Sequence, residues 1–278
     1  MNSKFYSKFS IPYVIWLAFL VVIPMLVMFA LAFMQTDGIS LDGAYFTLDN
    51  FRQLLEPSII TAFVNSFKFA TLTTLICAVL GYIVAYRLFQ SRIKNKLMVL
   101  TILILPMWSN LLLRSYALGN IMTQNNMLSD LLANIGISYH LDIRGTDLAV
   151  LIGLVISYLP FMILPIYTAL EKIDKSLYEA SLDLGATGIK TFWRVTFPIA
   201  LKGLVTGAIL VFLPTASGFA IPNILGEGNI ILLGTIIEYN FMNYVYNLGS
   251  LLAIIVLVVI LGSLFVVTKV DSEGETLL

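Results

Sequence analysis

The sequence predicts an all-α, polytopic membrane protein with six transmembrane helices, and three observations carry that prediction. The chain is 59% hydrophobic and only 12% charged, with a mean hydropathy of +0.94. A soluble core of 278 residues does not need so much apolar surface. Six charge-poor runs approach or reach the roughly 20 apolar residues that a bilayer-crossing helix requires: Ile11–Met34, Phe69–Tyr86, Leu97–Leu113, Leu148–Leu170, Gly203–Gly226 and Leu248–Thr268. The connections between these runs sort their lysines and arginines onto alternate sides.

Taken in order, the first span covers 11–34 and contains Pro12 and Pro24. Ala30-Leu31-Ala32 resembles a signal-peptidase site, but the apolar run before it is too long for a typical h-region, so a retained span is expected. The second and third spans extend past Lys68 and Arg114, whose long stems can snorkel, and so cover about 61–86 and 97–117. Pro106 is expected to kink the third. The outer connection Leu118–Asp147 includes an apolar piece, Met127–Ile137, suited to the membrane interface. Spans four to six cover 148–170, 201–222 and 248–268, and an inner loop, 171–200, separates the fourth from the fifth. A single membrane domain, 1–278, is expected, with no soluble domain and no repeat.

Orientation follows from the basic residues. With the N-terminus inside, the inner segments hold Lys4, Lys8, Arg87, Arg92, Lys94, Lys96, Lys172, Lys175, Lys190, Arg194, Lys202 and Lys269, twelve of the sixteen. Only Arg52, Lys68, Arg114 and Arg144 remain outside. Both termini and the loop 171–200 are therefore expected to be cytoplasmic. Asp37, Asp42, Asp49, Glu56, Asp130, Asp142, Asp147, Glu227 and Glu238 then lie outside, on a face that tolerates cations.

Reactive constellations are absent. The one cysteine, Cys77, falls inside the second span, where it can form no internal disulfide and no metal site, and the one histidine, His140, falls in an outer loop. The sequence has no HExxH, no Ser/His or Cys/His pair and no P-loop. Every Asp and Glu lies at or beyond a span end, whereas ion-coupled transporters usually bury carboxylates near the midplane. Neither catalysis nor self-contained ion coupling is supported, no cofactor or metal is implied, and nothing points to a nucleic-acid partner. The expected surroundings are membrane lipid and an external source of energy.

That source has an evident point of attachment. Ser176–Pro198, SLYEASLDLGATGIKTFWRVTFP, is an ordered, Gly-punctuated segment between two apolar runs. Ser176 and Glu179 have capping-box spacing. Leu177, Ala180, Ser181 and Leu184 fall at i, i+3, i+4 and i+7 and make one apolar or small face, with Glu179 and Asp183 outside it. Gly185 can end the helix at positive φ, and Gly188 loosens the next turn. A short docking helix presented to a soluble partner is expected.

The same residues resemble a family signature. Glu179-Ala180-Ser181, then Gly185, then Pro198 is similar to the EAA motif of ABC-importer permeases (Glu-Ala-Ala, three residues, Gly, nine residues, Ile-x-Leu-Pro), with Ser181, Val195 and Phe197 departing conservatively. The resemblance covers nearly the whole chain. Leu105–Tyr116, Tyr158–Pro165 and Leu170–Lys175 look like the spermidine/putrescine permeases, and Asn223–Gly226 with Leu233–Ile237 also looks similar, especially to the PotB-type subunit. It implies a type I importer permease fold with a cytoplasmic EAA coupling helix. The residues it assigns to ATPase coupling are Glu179, Ala180, Ser181, Asp183, Gly185 and Pro198. The partners it implies are two copies of a cytoplasmic ATPase subunit, a homologous second permease and an extracytoplasmic substrate-binding protein in a bacterial inner membrane. ATP would be hydrolysed by the partner, so the chain itself would be no enzyme.

A flexible polycation is best held by carboxylates and aromatic faces, each cation–π contact being worth roughly 0.5–2 kcal/mol. Candidate path residues are Trp108, Asn110, Tyr116, Tyr158, Phe161, Glu227 and Glu238, with Tyr239 and Tyr244 nearby. Asn110 and Arg114, one turn apart, suggest structural hydrogen bonds or a gate. The same machine carrying another small solute (iron, thiamine, sulfate), or a stand-alone secondary transporter, are the competing readings.

Overall fold

The computed structural model describes residues 3–38, 40–124, 126–135 and 141–270. His140 and the acidic tail lie outside them. In chain order the elements are α1 (Ser3–Ala32), β1 (Met34–Asp37), β2 (Ser40–Phe46), α2 (Asp49–Gln53), α3 (Pro57–Gln90), α4 (Lys96–Ile104), a 3-10 turn (Leu105–Trp108), α5 (Leu111–Ile121), α6 (Met127–Asn134), α7 (Asp147–Glu171), α8 (Lys175–Asp183), α9 (Gly188–Thr191), a π-helical turn (Phe192–Thr196), α10 (Phe197–Ser217), α11 (Ala220–Leu225), α12 (Leu233–Met242) and α13 (Tyr246–Val270). Among the described residues, five helices are long and apolar enough to cross a membrane, and the bent pair Lys96–Trp108 plus Leu111–Ile121 makes a sixth if taken as one span.

Three elements differ from expectation. The third span is not merely kinked at Pro106 but broken, its two halves meeting at 90°. Pro106 has no N–H to continue the ladder, Ser109 is extended, and Asn110 starts a new helix by accepting hydrogen bonds from the amides of Leu112 (2.8 Å) and Leu113 (3.4 Å). The fifth span stops at Ser217 because Gly218 is extended; Pro222 belongs instead to α11. The segment after α1 contains a hairpin, pairing Met34 with Phe46 and Gln35 with Tyr45, which an all-α expectation omits. Gly38, at φ +60°, suits its tight turn.

Spatially the chain divides into two compact units, 1–60 with 236–259 and 61–235 with 260–278. In the first unit the hairpin is tied to the end of α1. The buried Asn50 side chain donates to the carbonyls of Ala32 and Met34, both at 3.0 Å, and Phe33 packs against Phe29, Phe46 and Phe51. The Thr36 hydroxyl donates to Asn247 Oδ1 at 3.0 Å, joining the hairpin to the start of α13.

The second unit is organised around α7. Its residues Val150, Leu154, Met162, Ile166 and Leu170 are fully buried, as expected of a helix apolar all round. Small residues let neighbours approach, the usual basis of helix packing in lipid. Gly81 of α3 faces Met162, Gly203 and Gly207 of α10 face Pro165 and Met162, and Gly153 of α7 makes room for Leu225 of α11. At one end Lys68 of α3 pairs with Asp147 of α7 at 2.7 Å, which settles the charge inside the second span.

Candidate functional site

The segment between α7 and α10 is built from short, individually capped pieces. The helix expected from Ser176, α8, starts one residue earlier, at Lys175. Its N-terminal amide at Ser176 is held by Asp174 Oδ1 at 2.9 Å, so Asp174 supplies the cap and Ser176 lies within the first turn. The backbone bond from Ser176, then its hydroxyl, holds the Asp174 carboxyl below its usual pKa. That stabilisation is present above the ordinary Asp range and is lost as pH falls through the lowered value. Asp174→Ala should therefore fray α8 at neutral pH, whereas Asp174→Asn, which keeps the acceptor, should not; amide hydrogen exchange at Ser176 reads the difference.

The C-terminus ends as the glycine predicts. Gly185 has φ +76°, the Leu184 amide bonds Ala180 O at 3.1 Å, and the Ala186 amide reaches back to Ser181 O at 3.0 Å, a Schellman closure. The apolar face of α8 is left uncovered: Leu184 is 88% exposed and Leu177 50%, with Ala180 also exposed. Ser181, one helical turn after Leu177, is half-buried instead and shares a 2.8 Å hydrogen bond with the hydroxyl of Thr191, which is 0% exposed. Asp183 and Gly185 are exposed, and Pro198 sits on the exposed side of the first turn of α10. Glu179 lies on α8, but its side chain falls outside the described residues.

Between α9 and α10 the helix runs on without a break, but through a π turn in which the Phe197 amide bonds Phe192 O. Pro198 is the physical cause: it lacks the N–H that would satisfy Arg194 O, and the turn before it widens to compensate. Phe192 projects from this turn onto α3. Its ring meets Tyr82 at 5.8 Å and Tyr86 at 5.3 Å, both edge-on, while Trp193 and Phe197 close the cluster at 5.2 and 6.0 Å. Sequence reading passed over Asp174, Thr191 and Phe192. Asp174 was legible as a better cap than Ser176; the aromatic contact with α3, a hundred residues away, had no local signal.

The candidate path residues are scattered. Tyr158 is only 8% exposed and packs against Phe161 at 6.0 Å within the α7 core. Trp108 is 86% exposed, and Tyr116 is exposed as well. Asn110 is the cap of α5, and the Arg114 guanidinium donates to Pro106 O across the break, so the pair makes structural hydrogen bonds. Glu227 holds φ +49° and pairs with Arg144 at 3.0 Å; Arg144 also bonds Ile224 O. Its carboxylate is thus neutralised locally. Glu238 belongs to the other compact unit. Half-exposed pairs contribute about 0.2–1 kcal/mol, so Arg144→Gln should loosen the turn after α11 and lower thermal stability slightly without abolishing folding.

Among the described residues no group of His, Cys, Asp and Glu could hold a metal. What the geometry offers is a short amphipathic helix, capped at both ends, with an exposed apolar face and a connection to the core of a membrane bundle.

Known proteins with these features are found. Residues 78–271 match the family described as binding-protein-dependent transport system inner membrane component. The chain is 35% identical to the spermidine/putrescine transport system permease protein PotB of Haemophilus influenzae, over 87% of this chain and 85% of that protein. It is 37% identical to PotB of Escherichia coli K12, over 82% and 83%. Its fold matches that of a chain in a bacterial ABC transporter involved in the import of the acidic polysaccharide alginate, with TM-score 0.76, 17% identity and 96% of each chain covered. A chain of the MetNI methionine ABC transporter in inward-facing conformations matches at TM-score 0.58 and 17% identity, over 77% of this chain and 94% of that one. The chain therefore has the type I importer permease fold, is a transport subunit rather than an enzyme, and belongs to the family of binding-protein-dependent transport system inner membrane components.

Proposed function

We propose that this chain forms one half of the translocation pathway of an ATP-driven importer of spermidine or putrescine. The observation that carries the cargo is identity of 35–37% to polyamine permeases along more than four-fifths of their length. Fold alone favours no cargo, because the alginate importer of similar fold moves an acidic polymer.

In this reading both termini and α8 are cytoplasmic, and α8 presents its uncovered Leu177–Leu184 face to one of two ATPase subunits. A homologous permease completes the pathway, and an extracytoplasmic binding protein delivers the polyamine to the acid-bearing outer side. ATP binding closes the ATPase pair, α8 is carried with it, and the spans change between inward- and outward-open states. This chain hydrolyses nothing and needs no cofactor of its own. Glu179, Ala180, Asp183 and Gly185 shape the docking surface, Ser181 and Pro198 hold it to the bundle, and the exposed aromatics Trp108 and Tyr116 remain the best-placed path candidates.

Reconstitution of the four-component complex tests this. Spermidine carried by the binding protein should stimulate ATP hydrolysis and accumulate in the vesicles, and putrescine should compete. The polyamine assignment fails if spermidine neither binds nor stimulates.

A further inference from the structure

The loop that bears α8 is covalently continuous with α7 and α10 only. A third span, α3, is reached through side chains. On the loop, Ser181 of α8 is hydrogen-bonded to Thr191, and Thr191 is followed directly by Phe192 at the head of the π turn. Phe192 then contacts Tyr82 and Tyr86 edge-on, at interplanar angles of 86° and 80°. Tyr82 also meets Phe197 at 5.8 Å, and the Tyr86 hydroxyl accepts from Gln90 Nε2 at 2.6 Å, near the end of α3. Two features make this a joint rather than general packing. Edge-to-face ring contacts are directional, so they transmit rotation as well as approach. The π turn, imposed by Pro198, sets the phase of Phe192 relative to α10; an uninterrupted α-helix would turn it to a different bearing.

We infer that Phe192 is a positioning residue that links displacement of α8 to α3, so that α3, α7 and α10 move together when the docking helix is pushed. The inference rests on the importer reading for its driving force, but the joint itself is a property of this chain. The small-residue contacts already lock α7 to α10 through Gly203 and Gly207. Phe192 adds a direct contact between the loop and α3, which elsewhere meets α7 through Gly81 and Met162.

Two measurements on the complete four-component importer test it. Spin labels at Ser176→Cys and Arg87→Cys, both exposed positions outside the docking face, report the distance between α8 and the end of α3, and the native Cys77 is buried and leaves the signal clean. That distance should be narrowly distributed with Phe192 present, at least twice as broad in Phe192→Ala, and narrow again in Phe192→Tyr. Spermidine moved per ATP hydrolysed should fall about tenfold or more in Phe192→Ala and recover in Phe192→Tyr. Ser181→Ala, which removes the hydrogen bond without opening a cavity, should shift both readouts the same way by a smaller factor and serves if Phe192→Ala does not fold. Unchanged distance distributions overturn the joint, and broadened distributions with an unchanged transport-to-ATP ratio overturn its coupling role. Failure of the importer reading shows separately, as absence of ATP-driven uptake by the wild-type complex.

Discussion

Gly185→Val should abolish uptake while leaving membrane insertion intact, and Gly185→Asn should retain much of the activity. The reason is backbone and not space: a Cβ at this position would have nothing within 4 Å, but φ is +76°. An L-residue in the left-handed region costs roughly 1–2 kcal/mol, and more for a β-branched one, while Asn tolerates it. The helix concerned has nine residues, too few to be stable without its ends. A loss of about 1.4 kcal/mol shifts its population tenfold, and Leu184, the most exposed apolar residue of the docking face, moves with the Schellman closure. Glu179→Trp should also abolish uptake, by changing the shape of the docking surface. Uptake assays beside quantified membrane insertion check both; normal uptake in Gly185→Val would count strongly against a docking role for α8.

Gly203→Leu should yield no folded protein at all. A Cβ there would lie 2.3 Å from Pro165 O and 2.8 Å from Ala169 Cβ. The first is a backbone atom in the C-terminal third of α7, which cannot yield without moving the helix. Overpacking ordinarily costs about 1–3 kcal/mol, and a clash of a new side chain with the backbone of the facing helix falls at or above the top of that range. Gly207→Ala should be milder, lowering Tm without preventing folding, because its nearest neighbour at 2.7 Å is the flexible Met162 Sδ. Gly188→Ala, with nothing within 4 Å, should leave folding unchanged. Monodispersity and thermal unfolding of the detergent-solubilised variants rank them, and a stable Gly203→Leu protein would refute the α7–α10 packing.

Much of this arrangement was legible because the bilayer restricts what a chain can do. Twenty-odd apolar residues without charge become a helix in lipid, and α7, expected at 148–170, is found at Asp147–Glu171. Gly185 was readable because an αL stop has few substitutes. What local pattern could not give were the outcomes decided by competition. Pro106 kinks some helices and breaks others; here Asn110 and Arg114, by capping α5 and bonding Pro106 O, stabilise a 90° break. The hairpin after α1 shows weak alternation and depends on Asn50 satisfying two carbonyls from a distance. Glu227 suggests a cation contact as an acid near aromatics, yet Arg144, far away in sequence, pairs with it. Phe192, within the Ser176–Pro198 segment, carries no local pattern that points to α3.

The central claim is that α8 projects on the cytoplasmic side and is covered by a nucleotide-driven motor. Leu184→Cys places a reactive thiol on its docking face, while the native Cys77 is buried. A membrane-impermeant thiol reagent should modify Leu184→Cys in inside-out vesicles lacking the ATPase, should fail to do so in right-side-out vesicles, and should be blocked when the ATPase subunits are present. Modification from the outer side, or equal modification with and without the ATPase, would contradict it.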